Sequence, residues 1–158
     1  MTSPVTHDSF SIERIYPVPP ARVFAAFASV ETKRRWFAEG EGWEVEEFTL
    51  DFRVGGIERA RFRFRGNEHV PPAPMGNDTV YFDIVPERRI VLAYSMTMND
   101  QRISASLATF ELVPEGAGTR LLFTEQAAFL EGADGPEMRK QGWTVLLERL
   151  AVEVAPPN

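Results

Sequence analysis

The side chains able to do chemistry in this sequence are few. It has no cysteine and only two histidines, His7 and His69. A metal centre needs several His, Cys or carboxylate ligands brought together. Neither an HExxH pair nor any paired-ligand spacing occurs, so no metal is expected. No nucleophile elbow, phosphate-cradling glycine loop or dinucleotide fingerprint is present, and no cofactor is expected. Gly55-Gly56 and Gly116-Ala117-Gly118 are accounted for by backbone bends. His69 falls in a proline-rich loop, where it is either solvated or, at a cavity mouth, an acid or base. Two polar residues remain inside otherwise apolar segments, Tyr94 and Glu125. A buried hydroxyl or carboxylate needs a partner, and such a pair could exchange a proton with a substrate. Strand phase alone does not say whether either points inward.

The aromatic complement is large, with 12 Phe, 3 Trp and 3 Tyr. A solid core uses most of these rings. Trp36, Phe62, Phe64, Phe82, Tyr94, Met96, Trp143 and Leu146 are the candidates to line a cavity instead. Four arginines, Arg59, Arg61, Arg63 and Arg65, alternate with Ala60, Phe62 and Phe64. This is the pattern of a strand with one wet and one buried face; the arginines pair with acidic neighbours, the favoured reading, or bind an acidic partner or anionic lipid. The formal charge is −6, which argues against nucleic acid as a partner.

The elements that must position these groups follow from period and punctuation. At 158 residues the chain is the length of one domain. Residues 1–8 read as a flexible lead-in and 9–155 as the domain. Phe10 to Tyr16 forms a first strand, ended by Pro17-Val18-Pro19-Pro20. A helix begins near Pro20, and Ser29 caps a second short one reaching Trp36 and Phe37. From Trp43 the apolar period is two. Strands cover Trp43–Phe52, Glu58–Arg65, Thr79–Val85, Ile90–Met98, Ile103–Val113 and Thr119–Ala128, and Gly66–Asn77 reads as loop. The short connections make the sheet antiparallel and mostly sequential. A last helix opens on Asp134, Pro136 and Glu137, which resemble a capping box. It carries the stripe Trp143, Leu146, Leu147, Leu150 and Val154. No segment has the length of a membrane span or the form of a secretory leader, which makes the cytoplasm the expected compartment.

This order of elements, with Pro19-Pro20-Ala21-Arg22-Val23-Phe24, Trp36-Phe37, Asp51-Phe52-Arg53-Val54-Gly55-Gly56, Val85-Pro86-Glu87-Arg88-Arg89-Ile90 and Gly142-Trp143 before Leu146-Leu147 and Leu150, resembles the START-like, birch-pollen-allergen-like SRPBCC superfamily. Within it, the chain is similar to bacterial homologues of the heat-shock-protein ATPase activator over residues 10–154. The resemblance implies an α+β helix-grip fold. A curved antiparallel sheet of six to seven strands would wrap around a long C-terminal helix, with two short helices after the first strand. It implies a cavity between sheet and helix holding a small, largely apolar ligand. A cyclase, aromatase or hydrolase using Glu125 with Tyr94 or His69 is the alternative, as is a chaperone-linked interaction module. A homodimer and a chaperone partner both stay open.

Overall fold

Proline and the change from a two-residue to a helical period set the element boundaries. The computed structural model describes residues 5–157. Strand β1, Thr6–Tyr16, leads into helix α1, Pro20–Ala28, and the short α2, Val30–Lys33, which continues as a π turn over Arg34–Ala38. Six strands follow: β2 Trp43–Leu50, β3 Ile57–Phe64, β4 Ala73–Val85, β5 Arg89–Met98, β6 Gln101–Glu115 and β7 Gly118–Phe129. Helix α3, Pro136–Val154, closes the chain. The sheet is fully antiparallel in the order β1-β7-β6-β5-β4-β3-β2. Each hairpin therefore places a strand beside its predecessor, and β1 alone crosses to the far edge. The curved sheet and C-terminal helix form the helix-grip arrangement.

Local chemistry explains the joints. The Ser29 hydroxyl accepts from the Thr32 N–H, capping α2, while Glu31 sits in the positive first turn. Pro20 and Pro136 occupy first helical turns, where a missing N–H leaves no bond unmade. The core lies between α3 and the concave sheet face. Trp143, Phe110 and Phe123 stack there, with the Phe123 and Trp143 ring centres 4.5 Å apart. The Tyr16 hydroxyl donates to the Leu147 carbonyl at 2.9 Å, tying β1 to the helix.

Several sequence expectations need correction. Of the expected lead-in at residues 1–8, residues 1–4 lie outside the described part, and from Thr6 the chain pairs with β7, putting His7 opposite Ala128. A ladder needs only backbone donors and acceptors, so polar side chains did not prevent it. The loop after β3 ends at Ala73 rather than Asn77, with Pro74 tolerated near the start of β4. The capping box does not form. Gly135, at φ 87°, takes the cap position, and Asp134 bonds to Arg139 instead. The arginine row is exposed except for Arg61, which is 28% exposed and grips both oxygens of Asp78 at 3.0 and 3.2 Å.

A buried ion pair joins the helical segment to the sheet. Lys33 donates to Glu58 at 2.6 Å and to the Tyr81 hydroxyl at 3.2 Å, and Tyr81 donates to Glu58 at 2.6 Å. Glu58 shares the inward face of β3 with Ala60, and both are buried. Removing one charge of such a pair leaves the other unpaired in a dry interior. Lys33→Met is expected to cost about 3–5 kcal/mol in urea unfolding, and adding Glu58→Leu to recover most of it. A Lys33→Met variant as stable as the wild type would disprove the burial.

Candidate functional site

The concave face is not filled completely. Between α3 and the sheet lies a cavity of about 430 Å³. That is within the range of roughly 300–1,000 Å³ typical of small-molecule sites. Its apolar wall is built by Phe37, Phe62, Met75, Met96, Met98 and Trp143. The helix contributes every residue whose phase turns it toward the opening, including Met138, Gly142, Leu146 and Arg149. A Cβ built on Gly142 would meet nothing within 4 Å, so this glycine leaves space rather than permitting a close approach.

At the base of the wall lies a largely buried polar network, of which Tyr94, Arg139 and Asp134 also line the cavity. The Tyr94 hydroxyl donates to Glu125 Oε1 at 2.6 Å and accepts from Trp143 Nε1 and Arg139 Nη1, each at 3.1 Å. Glu125 Oε2 accepts from Ser106 at 2.9 Å and from Arg139 at 3.3 Å. Arg139 further donates to Asp134 at 2.8 Å and Ser104 at 2.8 Å. Four elements thus meet at one guanidinium: β5, β6, β7 and α3. Burial pushes the Glu125 carboxyl above the ordinary carboxylate range, against the opposing pull of its hydrogen bonds and Arg139. Burial, and then the Glu125 charge, push the Tyr94 hydroxyl well above its ordinary value, so it stays protonated.

The candidate residues divide cleanly. Tyr94 and Glu125 both point inward and touch. Phe62, Tyr94, Met96, Trp143 and Leu146 line the cavity. Phe82 does not, being 59% exposed. Tyr81 faces inward to meet Glu58, so its neighbour must face out, and a bulge leaves Phe82 without a cross-strand partner. Phe64 packs on Trp43 at 5.1 Å, at the end of β3 and outside the cavity lining. Trp36 belongs to the core behind, donating its indole N–H to the Ala26 carbonyl at 2.9 Å, while its neighbour Phe37 faces the cavity. His69 is 81% exposed beside Glu68 and far in sequence and contact from the network. Among the described residues, no group of three or more His, Asp or Glu side chains converges to hold a metal.

Arg139 escapes a reading of apolar residues, although its position is legible. It lies four residues before Trp143, so the stripe Trp143, Leu147, Leu150 and Val154 extends back onto a charged side chain. Lys33 and Glu58 are missed for the same reason, each in phase with buried apolar neighbours.

A family model described as activator of Hsp90 ATPase homolog 1-like protein matches residues 17–155. The chain belongs to this activator-homolog family. Among solved structures, the Mll3558 protein from Rhizobium loti is similar at 48% identity, over 96% of this chain and 99% of its own, with a TM-score of 0.85. A protein from Rhizobium leguminosarum is similar at 38% identity, over 96% of each chain, with a TM-score of 0.86. An AHSA1-like protein from Aeromonas hydrophila, at 18% identity over 93% of this chain and 92% of its own with a TM-score of 0.65, shares the fold. No curated protein matches the chain. No helix among the described residues is long and apolar enough to cross a membrane. Membership of the activator-homolog family thus accounts for the SRPBCC-type architecture.

The raised Glu125 carboxyl has a definite pH signature. It binds its proton more readily folded than unfolded. The burden of its charge is therefore absent below the unfolded value of about 4.3 and accumulates as pH rises through the higher folded value. Urea unfolding of wild type and Glu125→Gln should give a stability difference, wild type minus variant, that falls from about pH 4 upward. A difference that rises with pH would mean that pairing with Arg139 outweighs burial.

Proposed function

We propose that the chain binds a small, largely apolar molecule in the cavity between α3 and the concave sheet face. The observation that carries this reading is a hollow of about 430 Å³ with an apolar wall, at a place where the fold has side chains enough to fill it. Interiors are normally packed to crystal-like density, so an apolar hollow walled by aromatic rings and flexible methionines is a feature in need of an occupant.

An enzyme of the cyclase or hydrolase kind is the weaker reading. A general acid or base must reach the substrate, and Tyr94 has committed its one proton and both lone pairs to Glu125, Trp143 and Arg139. Glu125 is fully buried beneath it. The pair is better suited to holding the helix on the sheet than to exchanging protons with a ligand. A chaperone-linked interaction role is favoured by the family's description. It also draws on exposed apolar residues on the convex face, Ile57 and Val80 on paired strands and Phe82 beyond them. Stimulation of a chaperone ATPase lost on Val80→Asp would support that role.

The test of binding uses the open space at Gly142. Gly142→Ala should stabilise the protein by about 0.8–1 kcal/mol through helix propensity and leave binding intact. Gly142→Trp adds a large ring on the cavity wall, at an exposed position where a Cβ meets no other atom within 4 Å. It is expected to fold normally yet abolish the fluorescence enhancement of an environment-sensitive apolar dye. If Gly142→Trp binds the dye as well as wild type does, the dye and the cavity are unrelated.

A further inference from the structure

The cavity has two cationic ends, and they are not equivalent. At the enclosed end Arg139 is matched by Glu125 and Asp134, two carboxylates for one guanidinium. An anionic ligand would find no uncompensated charge there. Arg149 lines the same cavity eleven and seven residues beyond Met138 and Gly142, on the helical face that turns to the opening. Its guanidinium donates through Nη2 to the Arg35 carbonyl at 2.8 Å. It lies against Gly40, where a built Cβ would fall 2.7 Å from Nη1. A side chain at residue 40 would displace the guanidinium from this position. The neighbouring carboxylates are committed elsewhere: Glu39 to Arg34 at 2.9 Å and Glu153 to Arg35 at 2.6 Å. Among the described residues, no carboxylate forms an ion pair with Arg149. Partial burial draws its pKa below the ordinary arginine value, with only an opposing pull from Glu39. A positioned, half-buried and unmatched guanidinium on a cavity wall is a charge waiting for its counter-ion.

The remaining wall describes the other end of the ligand. Four of the chain's five methionines, Met75, Met96, Met98 and Met138, line the cavity. Unbranched, polarisable thioethers adapt to a chain of changing shape better than they enforce one rigid ring. We infer that the ligand is an amphipathic monocarboxylic acid, its carboxylate on Arg149 and its flexible apolar tail along the methionine wall. This rests on the cavity-binding reading and goes beyond it by assigning the head group and its seat.

Titration calorimetry at neutral pH with decanoate, 1-decanol and decyltrimethylammonium separates the two claims. Wild type should bind decanoate about tenfold to a hundredfold more tightly than decanol, as expected for a charge-assisted bond in a partly buried site, and the cation least. Arg149→Gln should bring decanoate down to the affinity of decanol while leaving decanol itself unchanged, which also reports an intact fold. Arg149→Lys, which keeps the charge, should retain most of the preference. Equal binding of decanoate and decanol by wild type, or a preference that survives in Arg149→Gln, would overturn the head-group assignment and leave the cavity reading standing. Failure of wild type to bind any of the three would remove both.

Discussion

Burying the Arg139 guanidinium governs how the helix meets the sheet. A charge in that position is tolerable only if carboxylates and hydroxyls surround it, and its partners come from β5, β6, β7 and Asp134, two residues before α3. Apolar packing alone would let α3 slide along or roll on the sheet at little cost, since one Leu–Phe contact much resembles another. Directional bonds of 2.8–3.3 Å from Arg139 to Tyr94, Glu125, Ser104 and Asp134 allow one register and one rotation. Trp143 is held by the same arrangement, because its indole N–H shares the Tyr94 hydroxyl with Arg139.

A rigid anchor at one end of the helix makes a hollow beside it tolerable. If only side-chain packing held α3 in place, the space beneath Gly142 would close by a small shift of the helix. The helix N-terminal half is pinned by the network, and its C-terminal half by Leu147, Leu150 and Val154, all fully buried. Between them the backbone spans the gap with little freedom to collapse. The polar network and the cavity are in this sense one construction, and Tyr94, which belongs to both, marks where they touch.

Most of the fold was legible in the sequence because strands, turns and caps are written in local code. The alternation from Trp43 onward, the prolines at helix starts and the stripe on α3 locate the elements, with the start of β4 read six residues late. Two kinds of feature were not legible. The first is the phase of residues at irregularities. Phe82 sits at a bulge, and which neighbour faces inward there depends on the partner strand, not on the segment itself. The second is buried charge. Arg139, Lys33 and Glu58 occupy the phase positions of core residues, but a rule that scores only apolar side chains passes over them. Tyr94 and Glu125 stand out as polar groups among apolar neighbours, yet nothing local says that they meet. Their pairing is created by β5, β6 and β7 lying side by side. Arg149, in the mixed-charge half of its helix, resembles any solvated arginine until Gly40 is seen against it.

The placement of β1 fixes the order in which the molecule can assemble. Every other strand pairs with its neighbour in sequence, so the run from β2 to β7 can zip up hairpin by hairpin as it leaves the ribosome. The first strand has no such neighbour: Thr6 pairs with Phe129, and Tyr16 bonds to the backbone of α3. Ile12, Tyr16, Val23 and Phe27 thus remain unsheltered until nearly the whole chain has been made. Closing so long a loop is slow relative to hairpin formation, and the waiting segment is apolar. Within this domain β1 is secured only after β7 has been made, and during synthesis it is the strand that waits longest for its partner.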